Sequence, residues 1–256
     1  MCGIAGFLDP KRRSGDQTLR GLAADMAGAL HHRGPDASGV WVDAEAGVAL
    51  AHARLSIIDL SAAGAQPMLS ASGRFVLSYN GEIYNAGELR AELEQMGHSF
   101  RGHSDTEVMV EGFSAWGVRG TVERLIGMFA FAVFDKATRT LTLGRDRLGI
   151  KPLYWGHAGG RVVFASELKA LAALPEFAPA IDRQALGAYL CTGYVPRHRA
   201  STRTSPSSSP ACCCILPRTV GQVASPIGCC STKRRGVKRT RSTSTRRRPA
   251  MSWRRC

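Results

Sequence analysis

The sequence predicts an α+β domain of layered antiparallel sheets with outer helices, followed by a tail that lacks a core. Three observations carry that expectation. Strand-like apolar runs come in groups joined by short turns, helical patterns gather between those groups, and apolar periodicity stops at Pro196. One-for-one alternation of strand and helix, the mark of a parallel doubly wound sheet, is missing.

Residues 2–8, CGIAGFL, are apolar and rich in small side chains, and Asp9-Pro10 then breaks the run, as expected of a buried strand entering a turn. The N-terminus is therefore expected inside a sheet. Leu19, Leu22, Met26 and Leu30 recur at helical spacing across 17–32, after which Gly, Pro and Asp cluster in the loop RGPDASG. Strand-like runs follow at 48–58 (VALAHARLSII) and 74–80 (RFVLSYN), then helical patterns at 85–97 and 104–116. A second strand group occupies 128–135, 140–146, 152–156 and 161–166, and a helical stretch at 183–191 closes the body. Beyond Pro196 the chain is mostly Ser, Thr, Arg, Pro and Cys. Such a segment buries too little apolar area to offset about 1–2 kcal/mol of backbone entropy per residue, so it is expected to be disordered. The organisation read from the chain is a domain over 2–190, then the start of a linker and a basic tail over 191–256.

The net charge of +14 belongs to that tail. Residues 1–196 hold 19 of the 34 Lys and Arg and all 20 Asp and Glu, whereas residues 197–256 hold the other 15 basic residues and no acid. The body is thus near neutral, and a phosphate-binding surface cannot be inferred for it. A binding protein whose Arg-rich tail holds nucleic acid is the competing class of function. Arginines without interleaved aromatics or a folded scaffold give only nonspecific attraction, so no specific nucleic-acid partner is expected. Six of the eight cysteines also lie in the tail, leaving Cys2 and Cys191, which form no disulfide framework. No apolar run approaches ~18 residues, and no basic n-region precedes the first apolar stretch, so neither a membrane span nor a signal peptide is expected. The expected compartment is the reducing cytoplasm. His31, His32 and His103 are not interleaved with Cys or acids at ligand spacing, so no metal site is expected.

Cys2 is the residue with the most chemistry. Its small side chain permits removal of Met1, which leaves a thiol and a free α-amine on one residue. The α-amine has a reference pKa of about 7.7–8.0, so it can take the thiol proton during attack and return it to a leaving amine. Read alone, a cysteine at position 2 is more often a small buried hydrophobe than a nucleophile.

Its surroundings decide between these readings. CGIAGF is followed in order by HHRGPD, HARLSIIDLS, AQPM, YNGEIYN, GHSDTEV, GMFAFAVFD, RDRLGIKPLYW and ASELKAL. From Cys2 to about Pro196 this series closely resembles the class II glutamine amidotransferases, and more narrowly the glutamine-hydrolysing asparagine synthetases. The resemblance implies an N-terminal-nucleophile hydrolase fold, an αββα sandwich of two antiparallel sheets between helical layers. It implies L-glutamine as substrate and Cys2 as nucleophile. Amide hydrolysis passes through an oxyanion that needs preorganised donors, and the resemblance assigns these to Asn80 and Gly81. It implies that Arg54 binds the glutamine carboxylate, that Asp105 with Glu82 nearby binds the ammonium, and that Ile57 and Ile58 line the pocket. Without the resemblance, Asn80-Gly81 reads as a hairpin turn, Arg54 as a surface strand residue and Asp105 as a helix N-cap.

The resemblance also implies a second domain that activates aspartate with ATP and Mg and carries an SGG-type phosphate loop. No SGG-x-DS string occurs here, and GYVP is followed by RHRASTRTSPSSSP. The expected activity is therefore glutaminase alone, with no cofactor in this chain and the synthetase domain as the absent partner. The tail reads as an out-of-frame segment. Two Cys codons re-read from the last base of the first always give Leu, so Cys212-Cys213-Cys214-Ile215 becomes Leu-Leu followed by His or Tyr. That sequence resembles the stretch expected after GYVP.

Overall fold

Residues 1–57, 59–178 and 180–195, with the backbone of 214–216, are described by the computed structural model. Strand β1 (Gly3–Leu8) is buried along its whole length because both of its faces are covered. It lies between β3 (Val48–Arg54) and β9 (Arg161–Ala165), with β2 (Ala37–Asp43) and β8 (Tyr154–Ala158) outside them. The sheet order is β2-β3-β1-β9-β8, and the pairs are antiparallel. Side chains alternate across a strand, so Ala5 and Phe7 face one side and Ile4 and Leu8 the other. Ala5 and Phe7 pack with Leu19 and Met26 of α1 (Asp16–Gly28) and Leu171 of α4 (Leu168–Leu171). Ile4 and Leu8 pack with Val76 and Phe134 of the second sheet.

That second sheet contains β4 (Met68–Leu69), β5 (Phe75–Ile83), β6 (Gly127–Asp135), β7 (Thr140–Arg145) and β10 (Cys214–Leu216), ordered β10-β7-β6-β5-β4. Its outer face, including Leu77, Phe131 and Val133, packs against Leu93 of α2 (Ala86–Gln95) and Met109 and Phe113 of α3 (Asp105–Arg124). Three apolar layers result, one between the sheets and one beneath each helical layer, which is the αββα sandwich the sequence led us to expect. A fully buried side chain such as Met26 contributes about 1.5–3 kcal/mol. A last helix, α5 (Arg183–Thr192), begins where Asp182 accepts from the amides of Gln184 and Ala185 and ends at Gly193 in the left-handed region. Among the described residues, no helix is long and apolar enough to cross a membrane.

Several boundaries differ from those read in the sequence. Strand β2 begins inside the segment read as a loop: Ala37, Ser38 and Gly39 form no apolar run, yet they pair with Arg54, Ala53 and His52 of β3. Asn80-Gly81 is not a hairpin turn. Both residues lie within β5, opposite Ala130 and Phe129 of β6. The glycine is needed for close approach: a Cβ on Gly81 would lie 2.8 Å from both Cα and Cβ of Phe129. The helix read over 104–116 continues to Arg124 across a kink at Gly117, whose φ of 71° takes the backbone out of helical geometry. Three residues of the segment expected to be disordered, Cys214–Leu216, instead form β10 on the otherwise unpaired edge of β7. An open edge presents free N–H and C=O groups that such a short run can satisfy. The rest of the tail, with its out-of-frame reading, lies outside the described residues.

Candidate active site

The antiparallel register pairs Gly3 with Ala53, which sets Cys2, just before β1, beside Arg54 at the end of β3. The thiol of Cys2 donates to Leu55 O at 3.5 Å, and its sulfur accepts from Leu55 N at 3.3 Å. Met1 precedes it on the wall of a cavity of about 510 Å³, and its removal exposes the Cys2 amine there. Cys2, Arg54, Ile57, Asn80, Gly81, Glu82 and Asp105 all line this cavity. The structure thus brings together every site residue expected from the sequence except Ile58, which lies outside the described residues.

The two expected oxyanion donors come from the opposite sheet. Ser78 and Asn80 share one face of β5, and the Ser78 hydroxyl donates to Ala51 O on β3, so that face looks toward the first sheet. Asn80 is 2% exposed, and its Nδ2 is buried without a hydrogen-bond partner. In an antiparallel strand the N–H groups of alternate residues point to the same side. Tyr79 N donates to Gln66 Oε1 and Ile83 N donates to Asp105 Oδ2, both away from β6. Gly81 lies between these two residues, so its N–H points the same way, into the cavity.

Arg54 is half-buried, and its Nη2 donates to the carbonyls of Asp59 and Ser61. Among the described residues it forms no ion pair with a carboxylate, which leaves its charge available to a ligand. Asp105 is not the N-cap of α3. Ser104 is, its hydroxyl accepting from Glu107 N at 3.2 Å. The Asp105 side chain accepts from Tyr79 Oη at 2.7 Å and Ile83 N at 3.0 Å. Burial raises its carboxyl above the usual range in spite of these donors. Burial, followed by the charge of Asp105, holds the Tyr79 phenol well above its ordinary value, so it remains a donor. Glu82 is exposed on the cavity rim, and Ile57, 71% exposed, is an apolar part of the wall.

Sequence reasoning assigned no role to a second set of residues. Arg33 Nε donates to Cys2 O at 3.0 Å, and Arg33 Nη1 pairs with Glu167 at 2.8 Å. The same Glu167 oxygen accepts from His32 Nε2, because His32 Nδ1 accepts from Lys169. Burial alone would raise Glu167, but Arg33 and His32 outweigh it and hold the carboxyl below its usual range. The result is a clamp on the backbone of the nucleophile, built from HHRGPD and ASELKAL, two blocks that had entered only as strings. On the other side, Asp146 accepts from the amides of Leu148, Ile150 and Lys151 and so folds RDRLGIK into a tight loop. Lys151 is 6% exposed on the cavity wall, with its Nζ 3.4 Å from Met1 Sδ. Between the sheets, burial lowers His52 to about 4, so it is neutral, and its Nε2–H donates to Tyr79 O at 3.0 Å.

A thiol at the head of the middle strand of one sheet thus faces the Asn80 amide and Gly81 of the other across one cavity. The two-sheet fold is shared with glutamine phosphoribosylpyrophosphate amidotransferase of Bacillus subtilis, solved with ADP and GMP, which matches 84% of this chain and 47% of its own, with a TM-score of 0.58 and 20% identity. Residues 1–219 match the family described as glutamine amidotransferase domain, and the chain belongs to that family. It is 40% identical over 190 residues to glutamine-hydrolysing asparagine synthetase 3 of Bacillus subtilis, covering 73% of this chain and 30% of that protein. It is 42% identical over 172 residues to glutamine-hydrolysing asparagine synthetase B of Escherichia coli, covering 67% and 30% respectively. The chain therefore spans 30% of the length of these curated relatives.

Proposed function

We propose that the chain hydrolyses L-glutamine to glutamate and ammonia, as the glutaminase half of an asparagine-synthetase-like amidotransferase. The observation that carries this reading is the Asn80 amide, buried without a partner in the cavity that holds the Cys2 thiol. An orphaned buried donor costs about 1–3 kcal/mol, a cost expected where a developing charge later takes up the bond.

Each step follows from these positions. Arg54 holds the glutamine α-carboxylate and Asp105 the α-ammonium, which delivers the side-chain amide to Cys2. As sulfur attacks the amide carbon, the thiol proton passes to the Cys2 α-amine, and the carbonyl oxygen becomes an oxyanion facing Asn80 Nδ2 and Gly81 N–H. Collapse breaks the C–N bond, and the α-ammonium returns its proton to the departing ammonia. Water, deprotonated by the same amine, then hydrolyses the γ-glutamyl thioester and frees glutamate and the thiol. None of these steps uses a cofactor. Activation of an acceptor carboxylate with ATP and Mg is assigned to a separate synthetase domain.

Ammonia release from glutamine without ATP tests the reading. The chain processed at Met1 should release ammonia, and Cys2→Ala or a form retaining residues ahead of Cys2 should not. Release undiminished in Cys2→Ala would refute the mechanism. Asparagine formed by this chain alone from aspartate and ATP would refute the assignment of synthesis elsewhere.

A further inference from the structure

The buried ammonium of Lys151 is not used by any step above. It is 6% exposed, lines the same cavity as Cys2, and has no carboxylate ion-pair partner among the described residues. Its backbone is fixed from both sides: the amide donates to Asp146 at 3.1 Å and the carbonyl accepts from Arg145 Nε at 2.6 Å. Its ammonium contacts Met1 Sδ at 3.4 Å, a weak acceptor that is lost when Met1 is removed. The bonds from that sulfur to the Cys2 nitrogen span on the order of 6 Å at most, so the lysine charge lies within on the order of 10 Å of the amine.

We propose that Lys151 is a positioning residue for the general base, a fixed positive charge that disfavours protonation of the Cys2 α-amine and keeps it able to accept the thiol proton at neutral pH. This rests on the reading of Cys2 as nucleophile. A like charge at this range across a partly desolvated cavity disfavours the charged form of its neighbour. The other charged and titratable groups around the amine are Arg33, Arg54, Asp59, Tyr79, Glu82 and Asp105. Arg33 is answered by Glu167, Asp59 accepts from the amides of Ser61 and His103, and Asp105 accepts from Tyr79 and Ile83. Arg54 adds to the effect, and the carboxylates of Asp59, Glu82 and Asp105 on the cavity wall oppose it. Among the described cations around the amine, Lys151 is the one that is fully buried and has no carboxylate partner.

The test is to titrate the amine directly in the processed protein. The pH dependence of its acylation is read on the N-terminal peptide by mass spectrometry, with thiols capped as methyl disulfides. Wild type should titrate below the ~7.7–8.0 of an ordinary α-amine. Two neutral variants, Lys151→Met and Lys151→Gln, should raise that value by about half a unit or more, and Lys151→Arg should keep it low. The acid limb of kcat/KM for glutamine should move with it, so that the neutral variants lose activity at pH 7 and regain it at higher pH. A wild-type amine titrating at its ordinary value, or one unmoved in the folded neutral variants, overturns the proposal. So does activity lost equally at every pH, or a change in KM alone. The acylation readout needs no turnover. A wild type without Cys2-dependent hydrolysis therefore defeats the function reading separately, and the titration still decides the role of Lys151.

Discussion

Replacing Asn80 by Ala separates catalysis from stability. Nδ2 of Asn80 has no partner in the free protein, so removing it breaks no native hydrogen bond at that atom. It even relieves an unmet desolvation penalty of about 1–3 kcal/mol, which offsets a similar loss from the small void left behind. Net stability should change by less than about 1 kcal/mol, a shift in Tm of about 2–4 °C or less for a domain of this size. The transition state loses one of two donors to the oxyanion, which is worth about 2.7–4 kcal/mol, so kcat should fall about 10²–10³-fold. KM should stay close to wild type, because the oxyanion exists only after attack. Steady-state ammonia release and a thermal melt on the same preparation measure both. A kcat within a few-fold of wild type would refute the oxyanion role. A melt lowered by many degrees would mean that the amide is structural.

Arg54→Lys should raise KM for glutamine by the ~2–4 kcal/mol expected when a bidentate carboxylate contact is lost, with kcat far less affected; an unchanged KM would remove Arg54 from substrate binding. The Asp105 carboxyl is raised by burial, so its contribution to folding is fully present below the ordinary carboxylate pKa and is lost as pH rises through the folded value. Glutamine binding needs the ionised form, so kcat/KM should rise through the same window, and Asp105→Asn should abolish that rise. His52 is lowered from 6.5 to about 4, so its contribution to stability is intact above pH 6.5 and declines as pH falls toward 4, by up to about 3 kcal/mol. Urea melts at pH 7 and 4.5 should show that loss in wild type and a smaller one in His52→Gln; equal losses would exclude His52 as the source.

The strands were legible where both faces are buried, as in β1 and β6, because an apolar run bounded by turn residues suffices to mark them. Edge strands β2 and β4 were not, since β2 starts with Ala, Ser and Gly and β4 is only two residues long, so neither carries an apolar run that marks it. Asn80-Gly81 misled as a turn because the glycine answers to the backbone of β6 across the sheet, a contact that no local pattern encodes. The residues proposed to touch glutamine were visible only through the family resemblance. Arg33, Glu167 and Lys151 were not, because Arg33 reaches Cys2 across 31 residues, Glu167 holds Arg33 across 134 and Lys151 meets Met1 across 150, separations that close only in the fold.

Cys2 is carried by one sheet and Asn80 and Gly81 by the other, so the apolar layer between the sheets is the spacer that sets the distance between thiol and amide. Ile4, Leu50, Val76 and Phe134 are not part of the cavity lining, yet their volumes fix how far sulfur stands from Asn80. A core substitution there acts as a kinetic one, with kcat drifting while the chain still melts cooperatively. Repacking that layer would therefore move the Cys2 thiol relative to the Asn80 amide.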